Sequence, residues 1–395
     1  MIDREGPELT VARRVYPHHQ PWQLTEAERE AYRRISRASR LAKLEALSGR
    51  GREPLHEINI PRLDPAELMP RRELSGLTAL SLFSGGGGLD IGFERAGFAH
   101  LASWDILEDA AATLRRNRPG WQVHGGKEEG DVTRVDWRRW RGRVDVLHGG
   151  PPCQPFSVAG RQRGPEDVRD MFPAFVRAVA GVRPRVFLAE NVAAVGGPKF
   201  RPYLLEAVLR PLGRWYSIRE LEVRAEDFGV PQQRRRFVLV GFSRVADMRR
   251  WVPPTPTHAP RNASLLHLDA PPCPGARWCL GLPDTGYDSL APTIRSSLTG
   301  PRHTTSILSS VSSRSAWERL EVWPNGVAPT REQARAFVPA NGHFRLSVPD
   351  VAILQGFPAG WQFAGAVYMA LGQIGNAVPP PIAYALAVSV AEALA

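Results

Sequence analysis

One cysteine of this chain lies in an unusually stiff stretch of sequence. In HGGPPCQPFS, Cys153 follows two glycines and two prolines, and the whole chain has three cysteines. Proline fixes its backbone angle, so the frame holds the thiol in place. A thiol attacks carbon only as the thiolate, from a usual pKa of about 8.5, and Arg161, Arg163, Arg234 and Arg236 could supply the positive field that this needs. We predict that Cys153 is a covalent nucleophile; the alternative, a buried small hydrophobic residue, does not account for the flanking glycines and prolines.

A glutamate ends a second apolar run, VFLAENV. Glu190 would lie at the carboxyl end of a strand, where it could donate or accept a proton beside Cys153. The alternative is a helix-starting acid without a catalytic role. The next motif, GVPQQRRRFVLVGF, places three arginines at the entry to a clear strand, which favours ligand contacts over a plain surface charge run.

A glycine loop precedes both motifs. LSLFSGGGGLDIGF is an apolar strand that runs into Gly85–Gly88 and then a helix, and Asp105 follows Gly85 by twenty residues at the end of the next predicted strand. An acid at this distance can accept hydrogen bonds from ribose hydroxyls. The loop fits neither G-x-G-x-x-G nor a G-K-[ST] ending, so we predict an adenosine-containing cofactor without a phosphate bridge. A turn used only for packing is the alternative. Asp131, in GDVTRVD, could end a further short strand.

The elements that must position these residues alternate along the chain. Short apolar runs and helical patterns follow one another from Leu77, which predicts a parallel sheet covered by helices on both faces. We predict four regions: a basic helical extension over 1–75, an α/β domain over 76–241 that carries these motifs, an irregular or β insert over 242–341, and a return of the α/β pattern over 342–395.

Composition narrows the class of partner. The formal net charge is +11 and arises almost entirely from arginine, since only three lysines occur. Arginine suits phosphate and base edges, which favours nucleic acid, although a general arginine bias would give the same charge. We find no disulfide framework, no leader pattern and no membrane-length apolar run, so we expect a reduced, cytoplasmic protein without membrane association.

The order of these motifs resembles the DNA (cytosine-5)-methyltransferases of bacterial restriction-modification type. The resemblance covers roughly 77–395 and is carried by FSGGGGLDIGFERAGF, PPCQPFS, ENV, GVPQQRRRF, LQGFP and GQIGNAVPPPIAYAL. It implies a Rossmann-like methyltransferase sheet, S-adenosylmethionine as the cofactor, S-adenosylhomocysteine as the product, and double-stranded DNA as the partner. It also implies that 76–241 is the catalytic and cofactor-binding domain, that 242–341 is the target-recognition domain, and that 342–395 returns to the catalytic domain.

The resemblance also implies the cofactor residues. Asp105 would hold the ribose, Ile106 would pack on the adenine, and Asp131 would meet its exocyclic amine. The family usually has Glu at the ribose position and often an acid two residues later, where this chain has Asp105 and Leu107. The full implied set is Phe83, Gly85, Gly87, Asp105, Ile106, Asp131, Pro152, Asn376 and Val378.

For the chemistry, the resemblance implies that Cys153 adds to C6 of a flipped-out cytosine while Glu190 contacts N3 and the amino group. Arg236 and Arg234 would hold the base through O2. The implied DNA contacts are Gln154, Ser157, Arg161, Arg163 and Gln232.

Other readings stay open at this point. A branch of the same chemistry methylates tRNA, a non-catalytic nucleic-acid-binding relative is possible, and a nicotinamide oxidoreductase is disfavoured by the missing G-x-G-x-x-G. We predict no metal site, because the spacing of Cys273 and Cys279 does not match a usual zinc pair. We also expect a monomer, with a cognate restriction endonuclease as a separate partner.

Overall fold

The structure is a computed structural model that describes residues 57–152, 170–259, 270–296, 305–336 and 342–395. It also describes five helical positions nearer the start of the chain, Glu26, Glu30, Arg34, Arg37 and Leu41. The rest of the predicted N-terminal extension up to residue 56 lies outside the described residues.

A seven-stranded sheet forms the centre of the molecule. In space its strands follow the order β3-β2-β1-β4-β5-β7-β6. The first five are parallel, and β7 is antiparallel to both of its neighbours. The strands are β1 (Thr78–Leu82), β2 (Ala99–Asp105), β3 (Val123–Gly125), β4 (Val146–Gly149), β5 (Val186–Val192), β6 (Ser217–Arg224) and β7 (Arg235–Phe242).

Helices cover both faces of this sheet, because its central strands are apolar on both sides. The helices of this body are α1 (Gly88–Arg95), α2 (Glu108–Asn117), α3 (Gly126–Glu129), α4 (Phe172–Val182), α5 (Arg201–Leu204, Leu205–Leu209 in π geometry, and Arg210–Gly213), α6 (Val245–Arg250) and, at the carboxyl end of the chain, α12 (Pro380–Leu394). One face packs on α4 and α5 around Phe175 and Phe187, and the other packs on α1 and α12 around Phe93 and Leu386. The predicted α/β class is confirmed.

A smaller lobe lies between β7 and α12 in the chain. The elements of the lobe are α7 (Ala276–Cys279), α8 (Val311–Arg319), β8 (Val322–Ala328), α9 (Arg331–Arg335), β9 (Phe344–Ser347), α10 (Val348–Gln355) and α11 (Val367–Asn376). Its two parallel strands, β8 and β9, share an apolar cluster with Trp317 and with α10 and α11.

The packing does not change at the predicted boundaries of the recognition domain. Trp251 packs on Phe242 with ring centroids 5.5 Å apart, and its indole N–H donates to Ser389 Oγ of α12. The segment after residue 242 therefore begins on the catalytic body. At the other end, β9 pairs with β8, so the lobe continues past residue 341.

The segment just before β1 also packs more closely than the predicted extension implies. Met69 is fully buried, and Arg95 donates from Nε to the Met69 carbonyl. Asn59 reaches the lobe, where its Nδ2 donates to the Leu280 carbonyl and to Asp350 Oδ1 at 3.0 Å each. This strap therefore bridges the catalytic body and the lobe, a role that its polar composition does not indicate.

One described stretch, Val367–Leu394, is apolar and long enough to span a membrane by composition. It comprises α11 and α12, and 72% of its most apolar window is buried inside the protein. Such burial is typical of core helices in an α/β body.

Candidate active site

The predicted site residues on three separate strands meet at one edge of the sheet. Asp105 ends β2, Gly149 ends β4, and Glu190 lies near the end of β5. Because β7 runs antiparallel to β5, Arg236 at its start faces the same edge, opposite Val192. Chain order reverses between β1 and β4, which is where open α/β sheets bind ligands.

The glycine loop is held open by unusual backbone angles. Phe83, Gly85 and Gly87 have φ of 55°, 53° and 87°. This left-handed region is uncommon for a residue with a side chain, so the backbone at Phe83 is strained. Asp105 fixes the loop directly: its Oδ2 accepts from the Gly85 N–H at 2.7 Å, and its Oδ1 accepts from the Leu107 N–H at 2.8 Å.

The surroundings of Asp105 fit an adenosine-containing ligand. Burial raises the pKa of Asp105, and the two backbone N–H groups partly offset this rise. The next residue, Ile106, leaves 51% of its surface exposed, which offers an apolar face to a ligand. A Cβ on Gly130 would lie 2.0 Å from the Asp105 carbonyl oxygen, so the chain that carries Asp131 lies directly against this acid.

Residues near the carboxyl end of the chain pack against the glycine loop. A Cβ on Gly88 would lie 2.2 Å from the Val378 carbonyl oxygen, and one on Gly86 would lie 3.3 Å from Gln373 Cβ. Trp361 donates from Nε1 to the Gly86 carbonyl at 3.0 Å. The predicted residues Gly87, Asn376 and Val378 thus share one region, in which Asn376 is exposed and Val378 is buried.

Glu190 and Arg236 form a nearly buried ion pair. Arg236 Nε lies 2.8 Å from Glu190 Oε1, and the two side chains are 10% and 8% exposed. Burial raises the pKa of Glu190, while the charges of Arg236 and then Arg234 oppose the rise. A Cβ on Gly150 would lie 3.0 Å from Glu190 Oε2, so the Gly150 backbone passes directly over the carboxyl. The pair therefore lies where the chain leads from β4 toward Pro152.

A match to a known protein family identifies the family of the chain. The family model of the C-5 cytosine-specific DNA methylases matches residues 77–268 and 287–392. The chain belongs to this family. It is therefore an enzyme, a DNA (cytosine-5)-methyltransferase that acts on DNA with a methyl donor.

Two curated relatives of this methylase are Type II methyltransferases. It is 35% identical over 328 residues to the Type II methyltransferase M.NgoMIV of Neisseria gonorrhoeae, covering 80% of this chain and 98% of the relative. It is 33% identical over 327 residues to the Type II methyltransferase M.NaeI of Lentzea aerocolonigenes, covering 81% and 76%.

Solved structures show the same fold at low identity. The S. pombe Dnmt2 methyltransferase matches with a TM-score of 0.51 and 16% identity, over 78% of this chain and 96% of that one. The Entamoeba histolytica methyltransferase EhMeth matches with a TM-score of 0.52 and 13% identity, over 82% and 100%.

Arg234 of the methylase is enclosed by the protein. The side chain is 1% exposed, and its guanidinium donates to backbone carbonyls of Ile294, Gly375 and Ala377 at 3.3, 2.7 and 2.9 Å. These hydrogen bonds direct the guanidinium into the lobe, toward the Ile294 segment and the end of α11, and the predicted contact with the base stays a prediction. Its charge still acts on Glu190 from within the protein.

Gln232 differs from its predicted role as a DNA contact. Its side chain is fully buried. The Nε2 group donates to the Leu354 carbonyl and to Gln355 Oε1, and Oε1 accepts from the Ile294 N–H. A side chain enclosed in this way cannot reach DNA; it fastens the lobe to the strand that carries Arg236.

The methylase has a positioning residue that sequence reasoning passed over. Asn191 donates from Nδ2 to the Pro151 carbonyl at 3.0 Å, and its Oδ1 accepts from the Val192 N–H at 2.9 Å. It ties the proline turn before Pro152 to β5. The ENV motif contained this residue, but only the fold shows that its partner is the turn.

A second missed feature is a buried polar row behind the glycine loop. Ser81 pairs in register with Ser103 on one side and with His148 on the other, all on the face under α1. Asp90 of α1 and His100 join them, 3.8 Å apart. Burial raises the pKa of Asp90 to about 7 and lowers those of His100 and His148 to about 4 and about 3.

Several predicted residues lie outside the described residues: Cys153, Gln154, Ser157, Arg161 and Arg163. Pro152 is described and is half-buried. Within the described ranges, no group of His, Cys, Asp and Glu is arranged to hold a metal ion. Cys273 and Cys279 are buried, and Cys273 Sγ points to the Val230 carbonyl at 3.5 Å.

Proposed function

We propose that this methylase transfers a methyl group from S-adenosylmethionine to C5 of a flipped-out cytosine in a specific double-stranded DNA sequence. The observation that carries the proposal is the Glu190–Arg236 pair beneath Gly150, three residues before Cys153. Asp105 and the glycine loop lie at the same sheet edge, so a methyl donor and a base would meet between them.

S-adenosylmethionine would supply an electrophilic methyl group on a sulfonium. Of the chain's residues, Asp105 would accept hydrogen bonds from the ribose, Ile106 would cover the adenine, and Asp131 would meet its amine. Phe83, Gly85, Gly87, Pro152, Asn376 and Val378 would line the rest of the pocket. The left-handed backbone of the loop supports this role, because it leaves room for close approach.

Glu190 would hold the base while C6 is attacked. Its raised pKa supports proton sharing with cytosine N3, which gains basicity as the ring accepts electrons. Arg236 would orient Glu190 through the 2.8 Å ion pair and hold O2 of the base. Arg234 would hold the start of the strand in place and add positive charge near Glu190.

Cys153 would perform the covalent step. Its thiolate forms a bond to C6, and the electron pair of the C5–C6 double bond then takes the methyl group at C5. Loss of the C5 proton to a base expels the thiolate and restores the double bond, so the enzyme returns unchanged. Gln154, Ser157, Arg161 and Arg163 would contact DNA beside the turn.

The biological setting that we infer is host-DNA protection. The named relatives are Type II methyltransferases, which supports a restriction-modification role with a cognate endonuclease acting separately. We place the enzyme in the cytoplasm, as a monomer. The match to the DNA methylase family favours DNA over tRNA and favours catalysis over binding alone or nicotinamide chemistry.

The test is methyl transfer from labelled S-adenosylmethionine to unmethylated genomic DNA, mapped by sequencing that detects 5-methylcytosine. We expect label at C5 in one short sequence context, and none with Cys153→Ala. Cys279→Ala is the matched control, since its thiol is buried away from the site edge. Label on tRNA in place of DNA, or full activity of Cys153→Ala, would overturn the proposal.

A further inference from the structure

The edge of the sheet opposite the active site carries a group of exposed arginines. Chain segments enter β4, β5 and β6 at this amino-terminal edge, and each entering segment brings arginine. We call this group the arginine surface; its members are Arg138, Arg141, Arg143, Arg183 and Arg214, all exposed.

Contacts join these segments into one surface. Arg141 and Arg183 both donate to carbonyls at the end of α4: Arg141 to Gly181 and Ala180, and Arg183 to Ala180. A Cβ on Gly181 would lie 2.6 Å from Trp137 Cβ, so the segment before β4 lies directly on the end of this helix.

Two tryptophans lie among the arginines. The Arg143 guanidinium is 4.9 Å from the Trp140 ring centroid, and that of Arg183 is 3.9 Å from the Trp215 ring centroid. Stacking of this kind holds long side chains in place, so that less conformational entropy is lost when a ligand binds to them. Arg214, next to Trp215, extends the same surface.

The charge of this surface is not balanced. Among the described residues, none of its five arginines forms an ion pair with a carboxylate, whereas neighbouring Arg139 pairs with Asp136 and Arg185 pairs with Asp145 and Asp247. Burial lowers the pKa of Arg183, and the charge of Arg141 lowers it further, so two like charges are held together without a counter-charge. A protein surface arranged in this way favours an anion with several charges.

We propose that the arginine surface binds the phosphate backbone of a second DNA segment, without sequence preference, while the catalytic edge holds the target. The proposal rests on DNA being the substrate, as proposed above. The seven residues of β5 span about 23 Å between the two edges, so a short duplex on the catalytic edge does not cover the arginine surface. Phosphate contact by arginine needs no base reading, which suits a surface of exposed arginines that have no carboxylate partner among the described residues.

The test compares a triple variant with a matched control. Arg138→Gln with Arg143→Gln and Arg214→Gln removes three charges but keeps the hydrogen bonds of Arg141 and Arg183 to α4. The control, Arg71→Gln with Arg72→Gln and Arg210→Gln, removes three exposed arginines that pair with Glu94, Glu392 and Glu206. Both variants have the same net charge.

Binding is measured over a salt series, on a short duplex with one target and on a duplex several times longer. We expect the surface variant to bind the long duplex more weakly, with a salt slope shallower by about 0.9 for each phosphate that it no longer neutralises. Its binding and methylation of the short duplex should match the wild type. The control should match the wild type on both.

Two outcomes would overturn the proposal: equal salt slopes for the wild type and the surface variant, or the same weakening in the control, which would indicate net charge alone. Preferential displacement of the long duplex by single-stranded RNA would overturn the assignment to DNA. The salt slopes report binding and do not depend on methyl transfer. If methyl transfer fails but the salt slopes of the wild type and the surface variant differ as expected, the result contradicts the proposed function and not the proposal for the arginine surface.

Discussion

Charged side chains are buried at one edge of the central sheet and exposed at the other. At the carboxyl edge, Asp105, Glu190 and Arg236 are nearly buried, and each is held by a named hydrogen bond or ion pair. At the amino edge, the arginines of the arginine surface are exposed and lack carboxylate partners among the described residues. Buried charges are expensive to move, so they suit chemistry at fixed positions; exposed charges adapt, so they suit a sequence-independent anion.

The comparison has energetic consequences. Removing one partner from a buried pair leaves an uncompensated charge, whereas exposed ion pairs contribute about 0–1 kcal/mol. Substitutions at the carboxyl edge should therefore give large changes in rate or stability, and those at the amino edge small changes that depend on salt.

The largest effect is expected for Glu190→Gln. Loss of the proton-sharing carboxyl should lower kcat by about 100- to 10,000-fold, because general acid–base groups contribute in this range. The measurement is single-turnover methyl transfer at saturating DNA and cofactor. Glu220→Gln, on β6, where the acid pairs with exposed Arg201, is the control and should keep full activity. An unchanged rate in Glu190→Gln would remove the catalytic distinction between the two edges.

Arg234→Met tests whether a buried charge stabilises the folded protein. It leaves three backbone carbonyls without their donor, and we expect a loss of about 3–5 kcal/mol in the free energy of unfolding. Denaturant unfolding measures this. Exposed Arg235 pairs with Glu222 at 3.3 Å, and Arg235→Gln should cost less than about 1 kcal/mol. Equal costs for the two variants would contradict the contrast between buried and exposed charge.

Asp90→Asn tests the buried polar row by its pH dependence. The pKa of Asp90 rises from 3.8 to about 7 because of burial. Between these values the unfolded chain releases a proton that the folded protein keeps, so this carboxyl lowers stability as pH rises toward 7.

The asparagine variant lacks that pH-dependent destabilisation. Its advantage over the wild type should grow from pH 4 to pH 7, to at most about 4 kcal/mol, since one pKa unit corresponds to about 1.4 kcal/mol. Thermal unfolding at several pH values checks it, with Asp136→Asn at an exposed site as the control. A pH-independent difference would show that folding does not raise the pKa of Asp90.

Gly88→Ala should have the smallest effect of the four, about 1–3 kcal/mol of stability, because the new Cβ meets the Val378 backbone at 2.2 Å. The displaced loop should also raise the KM for the methyl donor more than it lowers kcat. Gly213→Ala, where no atom lies within 4 Å of the new Cβ, is the control. If the KM for the methyl donor is unchanged in Gly88→Ala, the loop does not form part of the cofactor pocket.

The sequence predicted that Asp105 ends a strand, which the structure confirms, but it did not predict the packing around this edge of the sheet. The place of Asp105 after an apolar run follows from local rules, and its role toward a cofactor stays a prediction. Motif membership did not show that the side chains of Arg234 and Gln232 are enclosed by the protein, because it does not show which way a side chain points. Arg234 precedes β7 and its guanidinium bonds to carbonyls of the lobe, whereas Arg236 lies within β7 and meets Glu190.

The sequence by itself determined the strand-and-helix rhythm, the family and the residues that end each strand. These depend on local spacing, which the chain carries regardless of what packs on it. Only the tertiary structure decided that the segment before β1 bridges two lobes, that Asn191 holds the proline turn, and that arginines from three segments form one surface. Such contacts join residues far apart in the chain, and their direction depends on which faces the fold buries.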